Sequence, residues 1–270
     1  MTTLTFVVKS CQNTSLGAFI VRVIVAGRSA QRVRAVAHRY GFEHRVFGLD
    51  DPETLVAGLA DVGVVLHCAG PFSRTSKPMI DACLAARAHY LDITGEIAVF
   101  ESAAARDADA RSAGVMLLPG TGFDIVPSDC LALHVARKLA DVHELTLGFF
   151  GLGSVSHGTA MTIVENVHRG GFVRRDGKLT PVPTGSLVRD IDYGDGSGKK
   201  RSMAIPWGDV STAFHSTRIP NIEVYVPATS AMKRALAGQV EKGFSTPAKL
   251  LGPDFILGFE AVRRRDDEVA

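Results

Sequence analysis

The feature that most constrains this chain is a regular alternation, in its first half, between short apolar runs and longer segments with helical spacing. Residues 21–26 are apolar except for Arg22, and residues 62–67 read Val-Gly-Val-Val-Leu-His, as expected of strands covered on both faces. Between such runs, apolar side chains recur at i, i+3, i+4 and i+7, as in Val33, Val36, Ala37 and Tyr40. Strands that alternate with helices of this length predict an α/β fold with a doubly wound parallel sheet.

The loops that follow these strands are where function is expected, because ligands of open parallel sheets bind beyond the carboxyl ends of the strands. The strands ending near residues 26, 67, 93 and 118 are each followed by glycine, proline or polar residues. After about residue 126 the pattern changes to shorter strands with turn signals such as Asp176-Gly177 and Pro220-Asn221. This change predicts a second, smaller α+β domain.

Composition excludes several classes of function. The chain has 270 residues and a formal net charge of only +2, with both signs scattered, so we expect no nucleic-acid partner. Its four cysteines lie far apart without a Cys-x-x-Cys pair, which predicts reduced thiols of a cytoplasmic protein and neither a disulfide framework nor a metal site. No secretion signal is evident at the start of the sequence.

One uncharged stretch has the length of a membrane span. Residues 145–164 contain no Asp, Glu, Lys or Arg. The same stretch holds Gly148, Gly151, Gly153, Gly158 and His157, which favours strand, loop and helix of a buried core over a transmembrane helix. Peripheral association with a membrane stays open.

The tripeptide Gly27-Arg28-Ser29 follows the first strong strand and opens a helix. In a dinucleotide-binding fold this strand ends beside the adenosine ribose, where an acid binds the 2′-hydroxyl of NAD and an arginine pairs with the 2′-phosphate of NADP. Because no acid occupies the position, the tripeptide predicts NADP as the cofactor. The alternative is a surface arginine after a turn.

Two further loops are candidates for the site. Residues 68–72 would pass under the nicotinamide ribose, where Gly70 lets the backbone approach closely and its neighbours form a wall (Cys68, Ala69, Pro71 and Phe72). Residues 120–124 form a Gly-rich turn into a helix, which we interpret as the floor of a substrate cleft (Gly120, Thr121, Gly122 and Asp124). Anion binding through backbone amides and a hinge between domains are both consistent with this turn. No residue stands out as catalytic.

At this point the residues resemble a known family. The NADP-binding domain of saccharopine dehydrogenase-like oxidoreductases is similar to residues 64–96, VVLHCAGPFSRTSKPMIDACLAARAHYLDITGE, and to residues 114–139, GVMLLPGTGFDIVPSDCLALHVARKL. The motifs IPWGDVSTAFHST and RIPNIEVY are similar to second-domain motifs of its bacterial members, which are related to trans-acting enoyl reductases. The resemblance covers about residues 21–228. It implies a Rossmann-type fold, NADP(H), and oxidation or reduction of a small or acyl-chain substrate.

The sequence departs from this family in two places. Members usually open with a strand and a turn of the GATGYTG kind, whereas residues 5–18 of this chain contain one glycine. Residues 9–20 barely suffice for a parallel crossover with a helix, so the first βαβ unit should be shortened or replaced. Part of the second domain near residues 228–238 is also missing.

Together these observations predict a dinucleotide-binding domain over residues 1–126, a substrate or dimerisation domain over 127–236, and a C-terminal segment over 237–270 that returns to the first domain and ends in a tail. The expected function is hydride transfer between NADPH and a C=C or C=N bond of a small or acyl-chain substrate. The alternative is an inactive binding or scaffold protein, lipid-associated or not. A homodimer is an open expectation.

Overall fold

The computed structural model describes residues 5–13, 19–150, 171–183 and 185–228. In this part of the chain the strands form two six-stranded sheets. The first sheet has the order β3-β2-β1-β4-β5-β6. Its strands are β1 (Thr5–Asn13), β2 (Phe19–Gly27), β3 (Glu43–Val46), β4 (Val64–His67), β5 (His89–Asp92) and β6 (Leu117–Leu118).

Five helices belong to the first sheet: α1 (Ala30–Tyr40), α2 (Pro52–Gly58), α3 (Phe72–Ala86), α4 (Ile97–Ala104) and α5 (Asp107–Ala113). α1 ends at Gly41, which adopts a left-handed conformation at φ 68°. α2 is capped by Asp51, whose side chain accepts from the amides of Glu53 and Thr54. Apolar side chains from strands and helices, among them Val65, Met79 and Tyr90, close the core of this unit.

The order of the first sheet is that of a doubly wound dinucleotide-binding fold, and β2 to β6 all run in one direction. The predicted Rossmann-type α/β fold is therefore confirmed. Its central strand is the exception. β1 pairs antiparallel with β2, where Thr5 lies opposite Ala26 and Asn13 opposite Phe19, and it pairs antiparallel with β4 as well.

This reversal replaces the first βαβ unit. Two antiparallel neighbours need only a short connection, whereas a parallel pair needs a crossover of a dozen or more residues. Residues 14–18 are too few for such a crossover, so β1 fills the central position from the opposite direction.

Two helices differ from the sequence prediction. The sequence predicts the third helix from about Lys77 with Phe72 in the preceding loop, whereas α3 begins at Phe72 and accommodates Pro78 in its interior. The helix predicted over 97–112 is two helices, α4 and α5, which are separated at Ala105 and Arg106. Proline is disfavoured inside helices because it lacks an N–H, but the surrounding core outweighs that preference here.

The second sheet is mixed and has the order β10-β11-β12-β8-β9, with β7 parallel to β12. Its strands are β7 (Glu144–Gly148), β8 (Gly171–Arg175), β9 (Lys178–Val182), β10 (Val188–Asp192), β11 (Lys199–Ala204) and β12 (Asn221–Pro227). Two helices, α6 (Val126–Ala136) and α7 (Asp209–Thr217), pack through Ala132 and Ala213 around Ile219 and Ile222. The predicted second α+β unit is thus present.

Two predictions fall on residues outside this description. The C-terminal segment 237–270 lies outside it entirely, and the uncharged stretch 145–164 is described only up to residue 150. Within the described ranges, no helix combines the length and the apolar character that crossing a membrane requires.

Candidate functional site

Every residue that the sequence singles out for the site lies at one edge of the first sheet. Because β2, β4, β5 and β6 run in the same direction, their last residues Gly27, His67, Asp92 and Leu118 end at a common carboxyl edge. The loops that follow them form the rim where a doubly wound sheet binds its ligand.

The corner between β2 and α1 presents a positive charge to solvent. Arg28 is exposed, while Gly27 and Ser29 on either side are half-buried. Ser29 stands at the N-cap of α1 without a capping side-chain hydrogen bond, and the first turn of α1 contains no acid. Among the residues that the structure describes, none forms an ion pair with Arg28. This corner therefore suits an anion.

The loop between β4 and α3 is held by an acid from the next loop. Glu96 accepts hydrogen bonds from the amides of Phe72 and Ser73, each at 2.9 Å, one to each carboxylate oxygen. The peptide bond between Gly70 and Pro71 is cis. Because a carboxylate already occupies the N-terminus of α3, those two amides are engaged and do not face a ligand phosphate.

The centre of the carboxyl edge is organised by Asp92, which is fully buried at the end of β5. Its carboxylate accepts from the hydroxyl of Tyr90 at 2.7 Å and from the amides of Gly120 at 2.7 Å and Thr94 at 2.9 Å. Its carbonyl oxygen accepts from both the amide and the hydroxyl of Thr121, each at 2.7 Å. Asp92 therefore ties β5 to the loop after β6.

Burial dominates the electrostatics of this centre. It raises the pKa of Asp92 even though three donors stabilise the carboxylate, and it raises the pKa of the Tyr90 hydroxyl, with the charge of Asp92 adding to the effect. Sequence reasoning missed Asp92. The available signal was an acid at the end of a buried strand, in the segment His-Tyr-Leu-Asp.

His67 and Cys68 line the same region without acting as charged groups. Burial lowers the pKa of His67 to about 4, so the imidazole is neutral at physiological pH. Its ring stands edge-on to Phe72, with the ring centroids 5.7 Å apart. Burial and then the charge of Asp92 raise the pKa of the Cys68 thiol, which disfavours a thiolate nucleophile.

A cleft of about 610 Å³ lies beside β6. Its walls are mainly apolar and come from α4, α5, β6 and α6, and Gly120 and Thr121 stand at its rim. Its polar side chains are Asp129, Thr212, His215 and Ser216 from α6 and α7, and the ion pair of Asp107 with Arg111 from α5. The Ser216 hydroxyl donates to Asp129 at 2.8 Å. A mainly apolar cleft with a few polar groups accommodates a small organic molecule or an acyl chain.

The Gly-rich turn predicted as the cleft floor divides between two tasks. Gly120 and Thr121 line the cleft, whereas Gly122 and Asp124 are not among its lining residues. The carbonyl of Asp124 accepts from the indole N–H of Trp207 at 3.0 Å, and burial raises the pKa of its carboxyl. Gly120 adopts a φ of +77°, and a Cβ there would come within 2.6 Å of the Phe100 ring, so this position requires glycine.

No metal site accompanies these loops: the described ranges contain no group of three or more His, Cys, Asp or Glu side chains that could hold an ion. Among the residues that the structure describes, the middle of the carboxyl edge holds no glycine turn leading into a helix, which is the usual phosphate-binding element. A strand running with its neighbours would end there in a glycine turn that opens a helix. Here β1 begins at this edge with Thr5 and ends with Asn13 at the opposite one.

Comparison with known proteins agrees with this architecture. Residues 6–118 match the family model of the saccharopine dehydrogenase NADP binding domain. The chain is 31% identical over 158 residues to the trans-acting enoyl reductase of Mycobacterium bovis (strain BCG), which covers 53% of this chain and 38% of the relative. It is 32% identical over 126 residues to the trans-acting enoyl reductase of Mycobacterium ulcerans, covering 44% and 30%.

A solved structure shares the fold at low sequence identity. Apo saccharopine dehydrogenase (L-Glu forming) from Saccharomyces cerevisiae superposes with a TM-score of 0.51 at 13% identity, over 75% of this chain and 48% of that one. The alignments with the two mycobacterial reductases cover 30% and 38% of those proteins, so this chain spans well under half the length of either. The family-model match is confined to residues 6–118, which is less than half of this chain.

Proposed function

We propose that this chain is an oxidoreductase-type protein that binds NADP(H) at the carboxyl edge of the first sheet. The observation that carries the proposal is the corner between β2 and α1, where Arg28 replaces the acid of an NAD-binding site within a domain of an NADP-binding family. The chain would be cytoplasmic, as its composition predicts.

The adenosine end of the cofactor fits the residues present. Arg28 is exposed and without an ion-pair partner in the described part of the chain, and no acid stands in the first turn of α1. A guanidinium binds a phosphate through paired, charge-assisted hydrogen bonds, and an acid here would repel the 2′-phosphate. The neighbouring loop after β3 carries Asp51, whose carboxylate is engaged in capping α2.

The pyrophosphate in the middle of the cofactor does not fit. The direction of β1 removes both the glycine turn and the helix N-terminus that bind it. The amides of Phe72 and Ser73 donate to Glu96, and those of Gly120 and Thr121 donate to Asp92. Since these donors are engaged, the described part of the chain offers a pyrophosphate none of its usual backbone partners.

The substrate class follows from the cleft beside β6. Its mainly apolar walls support a small or acyl-chain molecule, and reduction or oxidation of a C=C or C=N bond is the chemistry that NADP(H) supplies when bound. The residues of this chain would hold and orient such a molecule. Its activity and its substrate both remain proposals.

A second candidate function is binding without turnover. The reversed β1 favours it, because a scaffold can keep the sheet and the cleft while losing the cofactor's pyrophosphate site. Only the oxidoreductase function requires NADPH, so a folded chain that does not bind NADPH cannot carry it out.

Fluorescence titration of the purified chain with NADPH and with NADH distinguishes them. We expect saturable binding with a preference for NADPH. Arg28→Ala should lower the affinity for NADPH by about tenfold or more and should change the affinity for NADH little. The matched control is Arg34→Ala, which removes the same charge from an exposed position of α1. A chain that is folded by circular dichroism and binds neither cofactor would establish the non-catalytic alternative.

A further inference from the structure

We infer that this chain recognises NADP(H) through its 2′-phosphoadenosine half alone, so that the isolated fragment adenosine 2′,5′-bisphosphate binds about as tightly as NADPH. The inference rests on the proposed function and adds to it a ligand class: nucleotides that carry a 2′-phosphate on the adenosine ribose. It follows because the reversed central strand β1 does not provide the turn that binds the pyrophosphate of NADP(H).

β1 runs in the direction opposite to that of the central strand in a usual dinucleotide-binding fold. In the usual fold the pyrophosphate lies over the carboxyl end of the central strand, on the amides of the turn and helix that follow it. In this chain that edge carries the beginning of β1, since Thr5 lies opposite Ala26. The end of β1, Asn13, lies opposite Phe19 at the amino edge, on the far side of the sheet.

The amides at residues 72, 73, 120 and 121 in the neighbouring loops do not replace the missing glycine turn, because they already have acceptors. The N-terminus of α3 already holds the Glu96 carboxylate, with both oxygens accepting backbone hydrogen bonds at 2.9 Å. A pyrophosphate placed there would displace one anion by another and would face the charge of Glu96. The loop after β6 is bound to Asp92 through the amides of Gly120 and Thr121.

The corner between β2 and α1, where the adenosine ribose would lie, does not depend on the direction of β1 or on the amides of the other loops. β2 pairs with β3 in parallel, as in the usual fold. α1, which connects these two strands, packs through its buried side chains Val33 and Ala37. Arg28 therefore keeps its place at the end of β2. The contact that remains available is that of Arg28 with the 2′-phosphate, which the fragment shares with the whole cofactor.

Isothermal titration calorimetry of the full chain tests the inference with three probes: NADPH, adenosine 2′,5′-bisphosphate and adenosine 5′-monophosphate. We expect the dissociation constants of NADPH and the bisphosphate to agree within about threefold, and the monophosphate to bind at least about tenfold more weakly because it lacks the 2′-phosphate. Arg28→Ala should lower the affinities for NADPH and for the bisphosphate by the same factor. Arg34→Ala should change neither affinity.

The outcomes separate the inference from the proposed function. NADPH binding more than about tenfold tighter than the bisphosphate would show that the pyrophosphate or nicotinamide is held, which overturns the inference and leaves the proposed function standing. Failure of every probe to bind the folded chain would overturn both. Equal affinities for the bisphosphate and the monophosphate would show that neither the 2′-phosphate nor Arg28 takes part in recognition, which overturns the inference.

Discussion

At the scale of single residues, Asp209 is the titratable group most affected by burial at the junction of α6 and α7. It is fully buried at the first position of α7. Burial, together with the nearby charge of Asp129, raises the pKa of Asp209 from 3.8 to about 7. The folded chain therefore keeps this carboxyl protonated over a pH range in which the unfolded chain ionises it.

This difference predicts a pH-dependent stability. Below pH 4 the carboxyl is protonated in both states, and between pH 4 and 7 only the unfolded state ionises, so rising pH favours unfolding. Asp209→Asn keeps the shape and removes the titration. The free energy of unfolding of the variant relative to the unmodified chain should rise by roughly 2–4 kcal/mol from pH 4 to pH 7. Urea denaturation at a series of pH values measures it.

Asp141→Asn is the matched control, because Asp141 is exposed and the substitution removes a carboxyl from the surface. The control should follow the unmodified chain at every pH. A constant difference between Asp209→Asn and the unmodified chain from pH 4 to pH 7 would show that Asp209 is ionised in the fold.

Single residues also show how far a sequence can be interpreted. The position of Arg28 directly after a strand was predictable, because local pattern reveals where a strand ends; its role in cofactor binding stays a prediction. Asp92 was not identifiable, because its partner Gly120 lies 28 positions away and enters through the fold. The engagement of the Gly120 amide, which bears on anion binding, depends on the same distant contact.

At the scale of elements, α3 depends on an acid that lies outside the helix. Pro71 at the N-cap provides no side-chain acceptor, and Glu96 supplies the acceptor in its place from the loop after β5. Capping interactions of this kind contribute about 1 kcal/mol. The start of α3 and the loop over residues 68–71 should therefore be stable only while Glu96 is present.

Glu96→Ala should expose the amides of Phe72 and Ser73 and increase their hydrogen exchange rates by about fivefold, the effect of losing about 1 kcal/mol. Glu96→Gln, which keeps one carbonyl oxygen, should have a smaller effect. Exchange detected by NMR or mass spectrometry measures both variants. Glu53→Ala in the exposed first turn of α2 is the control. Unchanged exchange at residues 72 and 73 in Glu96→Ala would show that other groups cap α3.

Elements differ in how well the sequence predicts them. The strands of the parallel sheet were predictable because continuous apolar runs have few alternatives in a covered sheet. The direction of β1 was not, since an apolar strand has the same pattern in both directions and the connection over residues 14–18 decides it. The sequence did indicate that a crossover there was too short.

At the scale of the whole molecule, the two sheets are joined where α4 meets β8 and α7. Arg174 on β8 is 3% exposed and donates to Glu101 on α4 at 2.6 Å. Its guanidinium also donates to the carbonyls of Val210 and Gly177, each at 2.9 Å, and stacks over the Phe214 ring at 4.1 Å. Every described contact of this side chain thus uses the geometry that only a planar guanidinium offers.

Arg174→Met should therefore uncouple the two units, because methionine fills much of the space but leaves two carbonyls without their donor and Glu101 with the Ser211 hydroxyl in place of an ion pair. We expect a loss of about 2–4 kcal/mol in the free energy of unfolding, with the calorimetric transition broadening or dividing into two. Arg201→Met is the control, since Arg201 forms an exposed pair with Asp190 at 3.5 Å and should cost little. A double-mutant cycle with Glu101→Gln isolates the pair from the carbonyl bonds. A single sharp transition in Arg174→Met, at the temperature of the unmodified chain, would show that apolar packing alone joins the two units.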